Sequence, residues 1–454
     1  MSGWDSARVA RLLGVAAPAA TRHRSIATDT RVLRPGDLFV ALAGERFDGH
    51  DFLEAARAAG ATGAVVRHGT PPVAGLVFYE VDRPLAALGS LANARRRAMT
   101  CPVVAITGTN GKTSTKEFVS AALGSLGPVS ATRANQNNEI GVPLTILEAP
   151  PEAAALVVEA GASEPGEIGR LRAIVEPTIS VVTNVTAGHV AGFGSIGAIL
   201  TEKLALVDGV ATAVVGTTPR VLAGRAREVA ARVITAGLDA DADITPDRWE
   251  WESDGHVRIE WRASTVRVPV VGRHLAENAM LALAVAEVLG VDPARAMAEL
   301  AAARVPGGRC EVIAHGGVTV LHDAYNANPA SLGAALETVM AMRGNRPMVI
   351  LVGTMLELGA GADAAHRHAA DAIVASRPDL VGAVGDFGPA LERHRETLGD
   401  RLVIAGDPDT LGRRVAERLT GTEVVLIKAS RGVRLEQVLP YLLDDREASC
   451  STTS

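Results

Sequence analysis

The sequence is poor in aromatic residues and in cysteine. Phe, Trp and Tyr make up 3% of its 454 residues, and the three cysteines, Cys101, Cys310 and Cys450, form no C-x-x-C pair. So few aromatics argue against a base-stacking platform for nucleic acid. Three widely spaced cysteines argue against both a disulfide framework and a structural zinc site. We therefore expect a protein of the reducing cytoplasm.

The sequence also lacks an excess of positive charge and any long apolar run. Lys and Arg number 45 and Asp and Glu 51, which gives a net charge of −6. A general nucleic-acid binder needs a basic surface, so no nucleic-acid partner is expected. No run of 18 apolar residues and no apolar signal segment is present, so neither a transmembrane helix nor a membrane partner is expected.

Hydrophobic residues nevertheless make up 48% of the chain, enough to fill several cores. At about 100–200 residues per domain, the length predicts two to four domains. In the first 98 residues an apolar run, a helical segment and a second strand alternate, at 37–42, 52–59 and 63–66. A helix over 84–98 follows, and Arg95, Arg96 and Arg97 are interpreted as its solvated face.

Two further stretches repeat the alternation of short apolar strands with helices. Strands are predicted at 103–106, 155–158, 179–182, 318–321, 348–352, 380–384, 402–404 and 424–427. Residues 240–270, with three tryptophans, predict a small antiparallel meander. The fold class is α/β, with three domains at 1–98, 99–306 and 307–454. Helices between apolar strands predict mostly parallel sheets, and the last domain is expected to be Rossmann-like.

A phosphate-binding loop is predicted between the strand at 103–106 and the following helix. The segment Gly108-Thr109-Asn110-Gly111-Lys112-Thr113 offers glycines that let backbone N–H groups face phosphate oxygens. Lys112 is expected at the β- and γ-phosphates and Thr113 at Mg²⁺. The general motif requires glycine at the position of Ile106, so the match is imperfect, and a glycine-rich turn with a surface lysine is the alternative.

Three side chains further along the chain are weaker candidates. Glu159 ends an apolar strand, where a carboxylate suits Mg²⁺ but equally suits a helix cap or a solvated loop. His189 follows the next strand and, taken alone, is more often structural than catalytic. Lys203 lies in a predicted helix and, taken alone, is interpreted as a surface lysine.

Together these residues resemble the Mur ligases, which build the peptide of bacterial cell-wall precursors. The resemblance covers nearly the whole chain and rests on long segments in each domain. These are Thr28 to Arg31, Phe47 to Phe52, Thr107 to Thr113, Asn137 to Thr145, Gly161 to Glu167, Gly192 to Ser195, Tyr325 to Pro329 and Leu356 to Gly359. The family's shortened phosphate loop accounts for Ile106, and the family fold has a uridine-nucleotide domain, a central P-loop ATPase domain and a C-terminal Rossmann-like domain.

The resemblance implies ATP and Mg²⁺, with two ions expected, as cofactors. Glu159 and His189 would join Thr113 as metal ligands, and Lys203 takes the position of a carbamylated lysine that becomes a fourth ligand. With Lys112, these residues form the implied catalytic set. Nucleotide contacts are implied for Asn278, Arg309, Asp323, Tyr325, Asn326 and Asn328. Substrate contacts are implied for Thr28, Arg31, Phe47, Asp48, His50, Asn137, Asn138, Lys428, Ser430 and Arg431.

Four positions near the implied site depart from the family pattern. Leu275 replaces an asparagine and Thr354 an aspartate. The segments 186–189 and 430–434 also differ from the usual G-P-A-H and S-R-S-M-R. Several changes around one site favour a diverged member of the family.

The implied activity is an ATP-dependent ligation through an acyl phosphate. The partners are small molecules: a UDP-linked muramoyl tripeptide or other carboxylate, and the amine of an amino acid or dipeptide such as D-alanyl-D-alanine. A monomer is expected. Two alternatives remain open, namely a related amide ligase of a specialised antibiotic pathway with other substrates, and a nucleotide-binding scaffold without catalysis. A folate-polyglutamating enzyme shares the later domains but lacks a first domain of this kind.

Overall fold

The computed structural model describes residues 3–44, 46–188 and 190–443. In these ranges the strands form five sheets, of which two have six strands and the others four, three and two. No helix in the same ranges is long and apolar enough to cross a membrane. His189 and Cys450, both singled out from the sequence, lie outside the described residues.

The first stretch forms a small parallel sheet. Its elements are β1 (Trp4–Asp5), α1 (Ser6–Leu13), β2 (Arg22–His23), β3 (Ile26–Ala27), β4 (Leu38–Val40), α2 (Leu53–Ala58), β5 (Gly63–Arg67), β6 (Val77–Val81) and α3 (Pro84–Arg97). Strands β3 to β6 pair in that order, all parallel, and β1 pairs with β2. The strands and helices predicted here are confirmed, because short apolar runs such as β4 are buried on both faces.

Helix α3 joins the first sheet to the next stretch, and its arginines correct the sequence interpretation. Arg95 and Arg96 are buried, whereas Arg97 is exposed. The Arg95 guanidinium donates to the carbonyl of Ala149 at 2.9 Å, and Arg96 donates to the carbonyls of Val175 and Glu176, each at 2.8 Å. The last carbonyl groups of a helix have no hydrogen-bond partner within that helix. These arginines therefore donate to the carbonyl groups at the carboxyl ends of two helices in the next stretch of the chain.

The second stretch contains the central parallel sheet and the segment that follows it. Its elements are β7 (Val103–Thr107), α4 (Lys112–Ala122), β8 (Val129–Ala131), α5 (Gly141–Glu148), β9 (Ala155–Glu159), α6 (Glu167–Val175), β10 (Ile179–Val182), α7 (Val190–Phe193), α8 (Ile196–Leu204), β11 (Thr212–Val215), α9 (Val221–Arg227), β12 (Val233–Thr235), β13 (Arg248–Trp251), β14 (His256–Trp261), β15 (Ser264–Val271), α10 (Arg273–Val288) and α11 (Pro293–Ala301).

The central sheet has the strand order β12-β11-β10-β7-β9-β8, and every pair is parallel. The chain leaves β7 on one side, through β8 and β9, and then crosses to β10 on the other. Ligands of open parallel sheets bind outside the carboxyl ends of the strands at such a switch point. The order therefore directs the loop after β7 into a crevice flanked by the ends of β9 and β10.

The antiparallel meander predicted at 240–270 is confirmed as β13-β14-β15. The helix that follows, α10, begins at Arg273. Gly272 precedes it with a φ of 111°. His274 and Leu275 consequently lie in the first turn of α10, close to the site described below.

The third stretch forms the second six-stranded sheet. Its elements are β16 (Glu311–His315), β17 (Val318–His322), α12 (Pro329–Arg343), β18 (Met348–Val352), α13 (Ala362–Ala375), β19 (Leu380–Ala383), α14 (Phe387–Glu392), α15 (Arg395–Leu398), β20 (Leu402–Ile404), α16 (Pro408–Ala416), β21 (Val424–Lys428) and α17 (Leu439–Leu442).

The order in this sheet is β16-β17-β21-β18-β19-β20, parallel except for β16. All five strands predicted for this stretch are confirmed. Strand β16 was not predicted, because it is an edge strand whose side chains are mostly exposed and give no apolar run. The carboxyl ends of β17, β21 and β18 lie next to one another and carry residues that the sequence analysis selected.

The contacts of α3 make a prediction about stability. Replacing Arg96 by alanine removes two charge-assisted hydrogen bonds and leaves two carbonyls unpaired, a loss of about 2–3 kcal/mol. Arg97 only pairs with the Glu176 carboxylate at the surface, so Arg97→Ala is the matched control and should change stability little. Urea unfolding of both variants measures this, and equal midpoints for the two would contradict the capping role.

Candidate active site

The phosphate-binding loop connects the end of β7 to the start of α4. Gly108 has a φ of 145° and Gly111 a φ of 79°, both in the region that favours glycine. A Cβ on Gly108 would lie 2.0 Å from the Thr183 hydroxyl oxygen, and one on Gly111 would lie 2.5 Å from the Asn278 side chain. The loop therefore needs both glycines. Ile106 is a buried residue of β7, which explains why the turn begins two residues later than in the general motif.

Lys112 is the first residue of α4 and lies folded over the loop. Its ammonium group donates to the carbonyls of Gly108 and Thr109, each at 3.0 Å. Burial lowers the pKa of Lys112, and the nearby Glu159 carboxylate opposes that change. A cation and a helix N-terminus thus face the same crevice, which favours an anionic ligand.

Glu159 is the last residue of β9 and is 2% exposed. One carboxylate oxygen, Oε1, accepts a hydrogen bond from the Asn137 amide at 2.8 Å. The other, Oε2, is buried with no hydrogen-bond partner among the described residues. A buried carboxylate oxygen left in this state is suited to a metal ion, so Glu159 fits a Mg²⁺ ligand better than a helix cap or a solvated acid.

Lys203 is buried in α8, which corrects its interpretation as a surface lysine. The side chain is 2% exposed, and its ammonium lies 5.7 Å from the centre of the Phe193 ring. Burial, with a smaller contribution from the Lys112 ammonium, lowers the pKa of Lys203 to about 7. The amine is therefore partly uncharged at neutral pH, the state in which it reacts with carbon dioxide.

The segment before His189 packs against the phosphate loop. The Thr109 hydroxyl accepts from the Thr186 N–H at 3.1 Å, and a Cβ on Gly188 would lie 2.5 Å from the Thr109 methyl group. The backbone N–H of Asn110 donates to the Asn184 side chain at 3.1 Å. His189 itself is outside the described residues, so its role stays a prediction.

Residues of the third stretch complete the crevice. Asn328 caps α12 and also donates from its amide to the Asn110 side chain at 2.7 Å. The Arg309 guanidinium stacks 3.6 Å from the centre of the Tyr325 ring and reaches the Thr113 hydroxyl at 3.4 Å. Two sheets far apart in the sequence therefore meet at the phosphate loop.

The resulting cavity has a volume of about 260 Å³. Its wall consists of Thr109, Asn110, Gly111, Lys112, Thr113, Ser114, Asn135, Asn137 and Glu159, then His274 and Leu275, and finally Arg309, Cys310, Asp323, Tyr325, Asn326, Ser331 and Lys428. The structure thus brings together most of the residues selected for the nucleotide. Gly108, Asn278 and Asn328 are not part of this wall, and Asn278 lies behind Gly111.

Two of the three predicted residues around β21 are held by internal contacts. The Lys428 ammonium pairs with the Asp323 carboxylate at 2.9 Å and also donates to the Asn326 carbonyl at 2.5 Å. The Ser430 hydroxyl accepts from the Leu356 N–H at 2.9 Å. Arg431 instead lies exposed, with its guanidinium 5.6 Å from the Tyr325 ring centre.

Sequence reasoning missed His274 and Cys310, which lie in the cavity wall. The Cys310 sulfur is 3.5 Å from Nε2 of His274, 36 residues away in the sequence. Burial lowers the pKa of His274 to about 4 and raises the pKa of the Cys310 thiol. The sequence gives no sign of this contact, because it forms only when the start of α10 packs against the segment before β16 in the folded chain.

The residues predicted to bind the acceptor lie in a second place, at the carboxyl edge of the first sheet. Asp48 accepts from His50 Nδ1 at 2.5 Å and pairs with Arg67, while Arg31 pairs with Asp29 at 2.6 Å. The remaining members are Thr28, which is half-buried, and Phe47, whose ring is 73% exposed. Of the central pair, Asn137 lies in the cavity wall, and the side-chain Oδ1 of Asn138 accepts from the N–H groups of Ile140 and Gly141 at the start of α5.

Comparison with known proteins agrees with this geometry. Three family models match the chain: the catalytic domain of the Mur ligase family at residues 23–96, the Mur ligase middle domain at 106–286, and the Mur ligase glutamate ligase domain at 308–431. A UDP-N-acetylmuramoyl-tripeptide–D-alanyl-D-alanine ligase of Bacillus subtilis is 33% identical over 429 residues, which cover 92% of this chain and 93% of that protein.

The chain belongs to the Mur ligase family.

Solved structures of Mur ligases have the same architecture. A MurF structure from Acinetobacter baumannii matches with a TM-score of 0.87 and 28% identity, over 98% of this chain and all of that one. MurF ligase from Thermotoga maritima, solved in complex with ADP, matches with a TM-score of 0.82 and 28% identity, over 92% and 97% of the two chains. The three-domain α/β fold predicted from the sequence is thereby confirmed.

Two of the departures from the Mur ligase pattern have clear positions. Leu275 is 3% exposed and contributes an apolar patch to the cavity wall. The Thr354 hydroxyl accepts from the Asp386 N–H at 3.0 Å and lies against Gly385, where a Cβ would approach it to 2.2 Å. Thr354 therefore makes contacts within the third domain, whereas Leu275 lines the cavity.

The loop geometry predicts the effect of a single methyl group. Gly108→Ala should weaken nucleotide binding at least about tenfold, because the new Cβ collides with Thr183 and the backbone must leave its conformation. Gly169→Ala is the control, since α6 has nothing within 4 Å of that position. Titration calorimetry with ADP measures both affinities, and wild-type affinity in Gly108→Ala would contradict the proposed geometry.

Proposed function

We propose that this chain joins the amine of D-alanyl-D-alanine to the carboxylate of a UDP-N-acetylmuramoyl-tripeptide, using ATP. The observation that carries the proposal is the cavity in which residues of two domains converge. They are Lys112, Arg309 and Glu159, whose Oε2 has no hydrogen-bond partner in the part of the chain that the structure describes. The similarity to ligases with this name over more than nine-tenths of the chain supports the choice of substrates.

The chemistry has two steps. The acceptor carboxylate attacks the γ-phosphorus of ATP, which gives an acyl phosphate and ADP. The amine then attacks the acyl carbon, and phosphate leaves with the electron pair of the broken C–O bond. Phosphorylation is needed because a carboxylate is a poor electrophile, and the protein contributes by positioning and by neutralising charge.

Lys112 and the loop amides are proposed to hold the β- and γ-phosphates. In this role the Lys112 ammonium exchanges its two carbonyl partners for phosphate oxygens, at the positive end of α4. Arg309 adds a second cation, and Asp323 is proposed at the ribose. The adenine side is proposed to be formed by Tyr325, Asn326 and Asn328, with Asn278 supporting the loop from behind.

Thr113, Glu159 and Lys203 are proposed to hold Mg²⁺, with His189 as a further ligand. The Glu159 oxygen that lacks a partner among the described residues supports this assignment. The burial of Lys203 also supports it, since a carbamate would turn this lysine into an anionic ligand. When bound, two Mg²⁺ ions would neutralise the charge of the triphosphate and of the acyl phosphate.

The first domain, proposed at 1–98, would bind the uridine nucleotide. Support comes from the exposed Phe47 ring beside the Asp48–His50 pair, with Thr28 and Arg31 at the same sheet edge. The other domains are proposed at 99–306 and 307–454. A single chain is expected to suffice, because both sides of the cavity come from one chain.

A second candidate keeps the chemistry and changes the amine. Leu275 favours it, because an apolar side chain replaces an amide in the cavity wall. Offering a panel of amines and acceptors separates this candidate from the first. A specialised ligase would form amide with another amine at least as efficiently as with D-alanyl-D-alanine.

The test of the main proposal measures phosphate release and product mass with ATP, Mg²⁺, UDP-N-acetylmuramoyl-tripeptide and D-alanyl-D-alanine. Lys112→Ala should lower kcat/KM at least about 100-fold, because it removes a cation from the transferred phosphate. Ser120→Ala, on the same helix, is the control. Unchanged turnover in Lys112→Ala would disprove the assignment, and binding of ATP without any turnover or amide product would favour a non-catalytic scaffold.

A further inference from the structure

One loop of the third domain lies near the proposed reaction centre, and the proposed function gives it no role. It consists of residues 353–361, between β18 and α13. We call it the Glu357 loop. Inside its own domain it is anchored by two backbone donors: Met355 N–H donates to His366 Nε2 at 2.9 Å, and Leu356 N–H donates to the Ser430 hydroxyl at 2.9 Å. The loop is therefore held firmly at its start.

The same loop contacts the central domain at α7. The Ala191 N–H donates to the Glu357 carbonyl at 3.2 Å. Gly359 fits tightly beside the same residue, because a Cβ there would lie 3.1 Å from the Ala191 Cα. Helix α7 also carries Phe193, whose ring faces the Lys203 ammonium. Glu357 thus stands at the rim of the space between the phosphate loop and Lys203.

The backbone of Glu357 has a φ of 65°, a left-handed conformation that is unfavourable for a residue with a Cβ. Such strain persists only where surrounding contacts impose it, and it is concentrated at functional sites. Here the contacts come from two domains. They leave the side chain exposed, and its negative charge is felt at Lys112, where it opposes the lowering of the lysine pKa.

The second step of the reaction requires a group of this kind. An α-amino group has a pKa of about 8, so the amine substrate arrives mostly as an ammonium ion. Lys112, Arg309 and Arg431, which lie on this side of the site, are themselves cations and cannot bind an ammonium group. Glu159 is the proposed metal ligand, so a separate carboxylate is suited to the incoming ammonium.

We propose that Glu357 binds the ammonium group of the incoming amine and holds it beside the acyl phosphate. Leu356, 47% exposed next to Glu357, packs against the side chain of the amine substrate. This is a binding step in which no covalent bond changes, and the ammonium releases a proton to water before its lone pair attacks the acyl carbon. The inference rests on the proposed ligase function.

Steady-state kinetics of full-length Glu357→Gln tests the inference. The KM for D-alanyl-D-alanine should rise at least about tenfold, because the charge-assisted hydrogen bond between the carboxylate and the ammonium group is lost. The KM values for ATP and for the acceptor should stay within twofold of wild type. Glu357→Asp should recover part of the affinity, and Glu396→Gln, an exposed acid on α15, is the control for the change of charge.

A neutral nucleophile provides a second readout that a folding defect would move. Hydroxylamine traps the acyl phosphate as a hydroxamate and needs no ammonium site. Its trapping rate in Glu357→Gln should equal that of wild type, which also shows that the variant is folded and forms the acyl phosphate.

Two results would overturn the inference while leaving the proposed function intact. One is an unchanged KM for the amine in Glu357→Gln. The other is slower hydroxamate formation with a higher KM for ATP, which would mean that Glu357 acts on the phosphate loop. If wild type forms no amide with this amine, the proposed function fails, and the inference fails with it.

Discussion

The contact between the phosphate loop and the first turn of α12 is the constraint on which the site depends. The Asn110–Asn328 hydrogen bond and the approach of Arg309 to Thr113 join the carboxyl ends of two parallel sheets. Neither sheet supplies a complete site. The central sheet offers the loop, Lys112 and Glu159, and the last sheet offers the cation and the aromatic ring that close the cavity. Any movement that separates the sheets would dismantle the nucleotide site as a whole.

The cavity between the two sheets contains charged and polar groups that a bound ligand would neutralise or hydrogen-bond. Lys203 is buried and Lys112 is half-buried, and the loss of solvent lowers the pKa of each. Glu159 keeps one oxygen without a hydrogen bond among the described residues. Buried charges and unpaired polar atoms are unfavourable in isolation, so a site that contains several of them is adapted to an anion and a metal that compensate them.

The sequence predicted the parts of this design that are local. A buried strand, a glycine turn and a helix start lie within a dozen residues, and the end of an apolar strand placed Glu159 at the correct edge of the sheet. The burial of Arg95, Arg96 and Lys203 was not predictable in this way. It depends on helix ends 50 to 80 residues away for the arginines and on the packing of α7 for the lysine. The contact of His274 with Cys310 likewise forms only when the start of α10 packs against the segment before β16.

The central claim is that the acceptor carboxylate is activated by a phosphoryl group. The most direct measurement follows oxygen in one turnover, with ¹⁸O in both positions of the acceptor carboxylate, ATP and Mg²⁺. Attack of the carboxylate on the γ-phosphorus predicts inorganic phosphate with one labelled oxygen for every amide formed, and ADP without label. Label in AMP, or unlabelled phosphate released alongside amide, would contradict the account.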